Sequence, residues 1–268
     1  MSKIYTLTDY DSLAGEFDNI RQSGSLLIKE LKKRFRSDSR ILSIGCGTGQ
    51  YEAILNSSFN VTGLDMSFGM LTIARKRISS CINGNMVAMP FRDCTFDGIY
   101  FMQSLHHAGA NFDISHNERS RVRRSALKEA WRVLRKGPLV IIQRDPSQNQ
   151  AVWFWKYFPE ALQKKLVIQP PVADLITWLK DLGLSRVTAA PIADPMVKGF
   201  YDAGAPLNPG FRKSFSEFSY LTDDEMDAGV KNLRKAISDG SAQEEIKICK
   251  ERFDKLGGTV FVVSGLKE

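Results

Sequence analysis

Three glycines at alternate positions, Gly45, Gly47 and Gly49, end an apolar run (Ile41, Leu42, Ile44) and precede a helix-compatible stretch at Tyr51 to Leu55. That order reads strand, tight turn, helix. Residues without a Cβ accept positive φ and let backbone lie against a ligand, while the first free N–H groups of the helix point outward. Taken singly, such a turn is also an ordinary strand-to-helix connection. A second apolar run, 60–64, then delivers Asp65 sixteen residues after Gly49. A carboxylate at the end of such a strand accepts hydrogen bonds from ribose hydroxyls, so the two features together point to bound adenosine. A further strand, 97–102, runs into Gln103, Ser104, Leu105, His106 and His107. An imidazole takes a proton near neutral pH, which makes either ring a candidate base; the alternative is that the rings hold the loop. Arg144 and Asp145 follow a fifth strand, Leu139 to Ile142, on the same edge. There Arg144 suits an anionic acceptor and Asp145 a proton, unless the two pair with each other.

The elements that position these groups sit in a chain of 268 residues, 43% hydrophobic and 25% charged, which suits one globular domain. Cys46, Cys81, Cys94 and Cys249 lie far apart without metal-ligand spacing. Neither a disulfide framework nor a metal site is indicated, and a reducing, cytoplasmic compartment is the simpler expectation. The start of the chain lacks a basic region followed by an apolar one, and there is no apolar run of about 18 residues, so a soluble chain without membrane insertion is expected. The net charge of +7 permits a polyanionic partner. Basic residues gather at 29–36 and 119–124, as solvated helix faces or as nucleic-acid contacts, without the interleaved aromatics that single strands favour.

Periodicity predicts a helix over 19–36 with Ile20, Leu26, Leu27, Leu31 and Phe35 on one side, and another over 67–78 capped by Ser67. A basic helix is expected from about Arg119 to Leu134, with Val122, Leu127, Trp131 and Leu134 roughly periodic. Trp153, Phe154, Trp155, Tyr157 and Phe158 are too dense for scattered surface groups. They form a lid over the acceptor, a dimer surface or a satellite core, and their place after the fifth strand favours the lid. A helix at 173–183 and strands at 184–192 and about 259–264 follow. Between those strands, residues 193–256 exceed any ordinary loop. The second part of this insertion reads as two helices parted near Gly240, the first opened by a Thr222/Glu225 capping box. The insertion either folds over the pocket, donating Phe200, Tyr201, Phe211 or Phe215, or is peripheral.

Four stretches in order, ILSIGCGTG (41–49), VTGLDMS (61–67), NGNMVAMPFRDCTFDGIYFMQSLHH (83–107) and EAWRVLRKGPLVIIQ (129–143), resemble the class I S-adenosylmethionine-dependent methyltransferases, in their small-molecule, ubiquinone-biosynthesis-like branch. The resemblance covers about residues 8–145. It implies an α/β, Rossmann-like, doubly wound sheet of seven strands with an antiparallel last strand and a helical, aromatic insertion between strands six and seven. The division would be an N-terminal helical cap (1–39), a cofactor-binding core (40–192, with the aromatic lid at 148–171), the insertion (193–256) as a substrate cap, and the final strand (257–268). The implied cofactor is S-adenosylmethionine, with S-adenosylhomocysteine as product. It would be held by Gly45, Cys46, Gly47, Gly49, Asp65, Met66, Met70, Asn85, Met86 and Gln103, with Tyr10 or Phe17 of the segment YDSLAGEFD near the methyl-bearing end. Ser43 stands where relatives carry the acid that helps hold the methionine ammonium, Asn85 where Asp accepts from adenine, and Pro138 where a glycine is usual. The expected activity is methyl transfer by in-line displacement to a small organic acceptor, with His107, His106 and Asp145 as catalytic candidates. Trp153, Trp155, Arg144, Phe200 and Tyr201 would face the substrate. Two alternatives are a tRNA methyltransferase, suggested by the charge, and a non-catalytic binding or scaffold subunit, suggested by the three departures.

Overall fold

The computed structural model describes residues 8–20, 24–194 and 196–268, and of 16–20 the backbone alone. Strands β1 (Arg40–Ile44), β2 (Asn60–Asp65), β3 (Cys81–Asn83), β4 (Gly98–Met102), β5 (Gly137–Gln143), β6 (Ser185–Ile192) and β7 (Val260–Lys267) form one sheet in the order β3-β2-β1-β4-β5-β7-β6. β1 to β5 pair in parallel, and β7 runs antiparallel between β5 and β6. The apolar runs of β1, β4 and β5 are buried, as strands covered on both faces must be.

Helices α1 (Tyr10–Ile20) and α2 (Ser25–Arg34) precede the sheet. α3 (Gln50–Leu55), α4 (Phe68–Ala74), α5 (His116–Val133), α6 (Pro146–Ala151), α7 (Pro159–Ile168) and α8 (Val172–Asp181) connect its strands, and α9 (Pro209–Lys213), α10 (Asp223–Ser238) and α11 (Ser241–Lys255) lie between β6 and β7. No helix among the described residues is long and apolar enough to cross a membrane.

The helix expected over 19–36 begins only at Ser25. Its buried stripe is Leu27, Ile28 and Leu31, with Phe35 just beyond; Leu26 lies a hundred degrees round the helix and is exposed. The side chains of Ile20 and Phe17 lie outside the described residues. The basic helix α5 starts earlier than expected because Ser115 and Glu118 form a capping box. Within it Trp131 is not core: its ring is exposed and lies under the Lys267 ammonium, 3.7 Å from the centroid. Arg119 and Arg123 of the supposed basic patch are buried, Arg123 donating to Ile168 O at 2.6 Å, and Arg124 pairs with Asp181. The capping box of Thr222 and Glu225 is present at the start of α10, and Gly240 separates α10 from α11 with φ 82°.

The aromatic segment is a satellite core. Trp153, Phe154, Trp155, Tyr157 and Phe158 are buried against Phe200, Phe211, Phe215, Phe218 and Phe253. Rings such as Phe154 and Phe215 meet edge to face with centroids 5.2 Å apart. α10 closes on this cluster at Gly229, where an added Cβ would stand 2.3 Å from the Phe158 ring and 2.8 Å from Tyr157 O. Gly229→Ala is therefore expected to lower stability by about 1–3 kcal/mol, overpacking outweighing the roughly 1 kcal/mol gain in helix propensity, as read by urea denaturation.

Candidate functional site

The carboxyl ends of β1, β2, β4 and β5 open on a cavity of about 380 Å³. At its floor the glycine turn bends with φ of 73°, 55° and 77° at Gly45, Gly47 and Gly49. The turn is fastened by Gly45 N–H and Cys46 N–H donating to Leu64 O, and by Gly47 N–H donating to Asp65 Oδ2 at 2.7 Å. A Cβ on Gly45 would fall 2.3 Å from Ser104 Cβ, whereas one on Gly47 would meet nothing within 4 Å, because that position faces the open cavity. Gly49 does not line the cavity; it caps α3 behind the turn.

Asp65 is half-buried, and loss of solvent around its carboxyl raises it above the ordinary aspartate range against the opposing pull of the Ser67 and Gly47 N–H groups. Cys46, Met66, Met70, Asn85, Met86 and Gln103 also line the cavity. Asn85 Oδ1 accepts from Val87 N–H at 3.1 Å, which fixes the amide orientation and leaves its second lone pair as the acceptor. Gln103 is held at φ 52°, its N–H bonded to Ile142 O at 2.7 Å, and such strain in a non-glycine residue is typical of a ligand-facing bend.

Ser43 is not a bare replacement for an acid. Its Oγ donates to Glu52 Oε1 at 2.6 Å, and Tyr100 OH donates to the same oxygen at 2.6 Å. Glu52 sits on α3, is 2% exposed and lines the cavity, and its Oε2 has no hydrogen-bond partner among the described residues. Burial lifts its carboxyl above the usual glutamate range. The sequence signal was the buried spacing of Glu52 and Leu55 on one helix face.

α1 closes the cavity from the side. Asp11 Oδ1 accepts from Ser67 Oγ at 2.6 Å and Gly69 N–H at 2.7 Å, holding its carboxyl below the usual range. Tyr10 OH lies 2.8 Å from His107 Nε2, the two rings edge to face. Beyond them His106 Nε2 is 3.1 Å from Lys165 Nζ, and Lys165 pairs with Glu217 at 2.6 Å, both side chains buried. An ammonium has only donors, so His106 Nε2 accepts and its ring proton sits on Nδ1. Lys165 and Glu217 were not anticipated, although Lys165 falls on the buried stripe Ala161, Lys165, Ile168 of α7.

Four substrate candidates lie elsewhere. Trp153, Trp155, Phe200 and Tyr201 belong to the satellite core rather than the cavity wall, because the 148–158 and 200–218 segments bury their rings in each other. Of the aromatics of the insertion Phe215 lines the cavity, and from 148–171 only Asn149 and Lys165 reach it among the described residues. Arg144 does line it, its Nε donating to Thr259 O and its guanidinium 5.2 Å over Phe200. Asp145 does not: it caps α6, Oδ1 accepting from Ser147 N–H and Oδ2 from Val172 N–H at 2.9 Å. Both oxygens are committed to holding backbone.

Residues 42–142 match a family model described as a methyltransferase domain. The chain is similar to the Bos taurus protein named "Probable tRNA methyltransferase 9B", 30% identical over 203 residues, 75% of this chain and 39% of that protein. It is similar also to an O-methyltransferase of Penicillium expansum, 25% identical over 224 residues, 77% of this chain and 75% of that one. The chain spans about two fifths or less of the length of several such relatives, from 21% to 40%. Its fold is that of a methyltransferase assigned to an antibiotic biosynthesis pathway of Anabaena variabilis, with a TM-score of 0.71 at 19% identity over 91% of this chain and 98% of that chain.

Proposed function

We propose that this chain is a class I S-adenosylmethionine-dependent methyltransferase and that it moves the methyl group to a small organic acceptor by in-line displacement. One observation carries the reading: a single cavity is lined by the glycine turn, Asp65 and Gln103 and also by 214–217 of the insertion. The residues fit the cofactor. Gly47 leaves room for a nucleoside, Asp65 suits the ribose hydroxyls, and the buried, unpartnered Glu52 Oε2 suits the methionine ammonium that Ser43 alone would not hold. When bound, S-adenosylmethionine supplies a methyl group on a sulfonium whose charge vanishes on transfer. The chain's own part is to bring two reactants into line and keep water out, which can supply about 7–11 kcal/mol. Tyr10 from α1 and Phe215 from the insertion wall the cavity for that purpose.

Two findings favour a small acceptor over tRNA. Residues 214–217 of the insertion line the cavity, and two arginines of the 119–124 cluster are buried rather than displayed. With methyl-labelled S-adenosylmethionine and an extract of the source cells, label is expected in the small-molecule fraction; label in RNA would overturn the assignment. Binding of S-adenosylhomocysteine should also depend on pH. Burial raises the Asp65 and Glu52 carboxyls, so both protonate at higher pH than ordinary acids, and affinity is lost as pH falls through those raised values. Calorimetric titration should show a loss of roughly tenfold or more on protonation, the worth of one hydrogen bond to a charged group. Asp65→Asn should be weaker at neutral pH and less pH-dependent.

A further inference from the structure

Resting on the methyltransferase reading, we infer that α1 couples the nucleoside site to the insertion, so that the cofactor binds first and firms the wall that 214–217 present to the acceptor. α1 packs against α4 and against α9 of the insertion. Toward α4, Asp65 Oδ1 accepts from Ser67 N–H at 2.9 Å, and Ser67 Oγ donates to Asp11 Oδ1 at 2.6 Å. One serine thus joins α1 to the carboxylate assigned to the ribose. Gly69 permits the close approach, since a Cβ there would stand 3.0 Å from both Asp11 Cα and Asp11 O. Toward the insertion, Thr8 Oγ1 lies 3.0 Å from Tyr220 OH. Tyr10 OH meets His107 Nε2 at 2.8 Å, and the His107 ring stands 4.0 Å, centroid to centroid, from His106, which leads on to Lys165 and Glu217.

This strap is easily lifted and is held down by whatever fills the cavity. Of the side chains from Thr8 to Gly15, only Thr8 and Ala14 are buried, so polar contacts rather than an apolar stripe hold this part of α1. A helix of 11 residues is marginal on its own. Thr8, Asp9, Tyr10 and Asp11 also line the cavity. An occupant touches them only while α1 is down, and that difference in contact shifts the balance between the lifted and lowered positions. With α1 down, Tyr220 and His107 are both held by it, and the insertion beside them is steadied. An acceptor that arrives before the cofactor meets a looser wall.

The test is hydrogen exchange, read by mass spectrometry on the full chain with and without saturating S-adenosylhomocysteine. The amides of Phe218 and Leu221 report the insertion, donating to Phe215 O and Phe218 O. Residues 218–221 do not line the cavity, so the ligand does not cover them directly. Ligand is expected to slow exchange by at least about fivefold, the lower end of ordinary coupling between sites, both in α1 and at 218–221. Tyr220→Phe keeps the ring against Phe112 and removes the hydroxyl that meets Thr8. That variant should still bind S-adenosylhomocysteine by calorimetry and still show slowing in α1, while the slowing at 218–221 is lost. Thr8→Val cuts the same link from the other side and should give the same loss at 218–221. Slowing confined to α1 in the wild type would overturn the inference, as would slowing at 218–221 that survives either substitution. Failure of the ligand to bind the wild type at all would overturn the methyltransferase reading and this inference with it, whereas binding without slowing at 218–221 overturns this inference alone.

Discussion

Gly47→Val is expected to weaken S-adenosylhomocysteine binding by at least about 100-fold, some 2.7 kcal/mol, while the protein stays folded. The two halves of this expectation have separate causes. At φ 55° a β-branched residue is strained by roughly 1–2 kcal/mol, a fraction of a typical domain stability of 5–15 kcal/mol. No protein atom lies within 4 Å of the added Cβ, so no clash compounds that strain. On the proposed function this space takes the nucleoside, and valine would occupy it from the floor while the neighbouring N–H groups lose their approach to that ligand. Gly45→Val is the control: its Cβ would meet Ser104 Cβ at 2.3 Å, and stability should suffer before binding can be measured. Isothermal titration with a melting curve on each variant checks both. A folded Gly47→Val protein with near wild-type affinity would place the nucleoside elsewhere.

What was legible in the chain was local. The glycine turn, the Ser67 cap and the Thr222/Glu225 box each involve residues within a few positions of one another, and each is present, with Asp65 reaching the turn from the next strand eighteen residues on. The sheet followed because continuous apolar runs, as in β5, have few other uses. The reading failed where the partner surface lies far along the chain. Trp153 and Trp155 look like a lid when taken alone, but the groups that cover them, Phe200 to Phe218, arrive some fifty residues later. Asp145 looks like an edge-displayed acid until Val172 N–H comes to it from α8. Glu52 and Lys165 were passed over for the opposite reason. A charged residue on a helix is ordinarily solvated, and only the packing of Ser43, Tyr100, His106 and Glu217 around them shows that they are buried and paired.

Glu217→Ala is expected to cost about 3–5 kcal/mol of stability, the largest effect of any single side-chain truncation at this site. Lys165 and Glu217 meet at 2.6 Å with side chains only 8% and 6% exposed. Removing the carboxylate leaves an ammonium in a poorly solvated place beside the His106 imidazole, which accepts a hydrogen bond but does not offset a charge. The pair also links elements distant in sequence, α7 and the 216–220 turn of the insertion, so its loss loosens the far wall of the cavity. Replacing both members by apolar groups of similar volume, Lys165→Met with Glu217→Met, removes the unpaired charge along with the attraction and should recover most of the stability. Urea denaturation of the three proteins gives the comparison. If Glu217→Ala costs less than about 1 kcal/mol, the pair behaves as a solvated surface bridge, and the wall would be open to water. If the double variant is as unstable as the single one, the loss stems from packing of the side-chain stems instead of from charge.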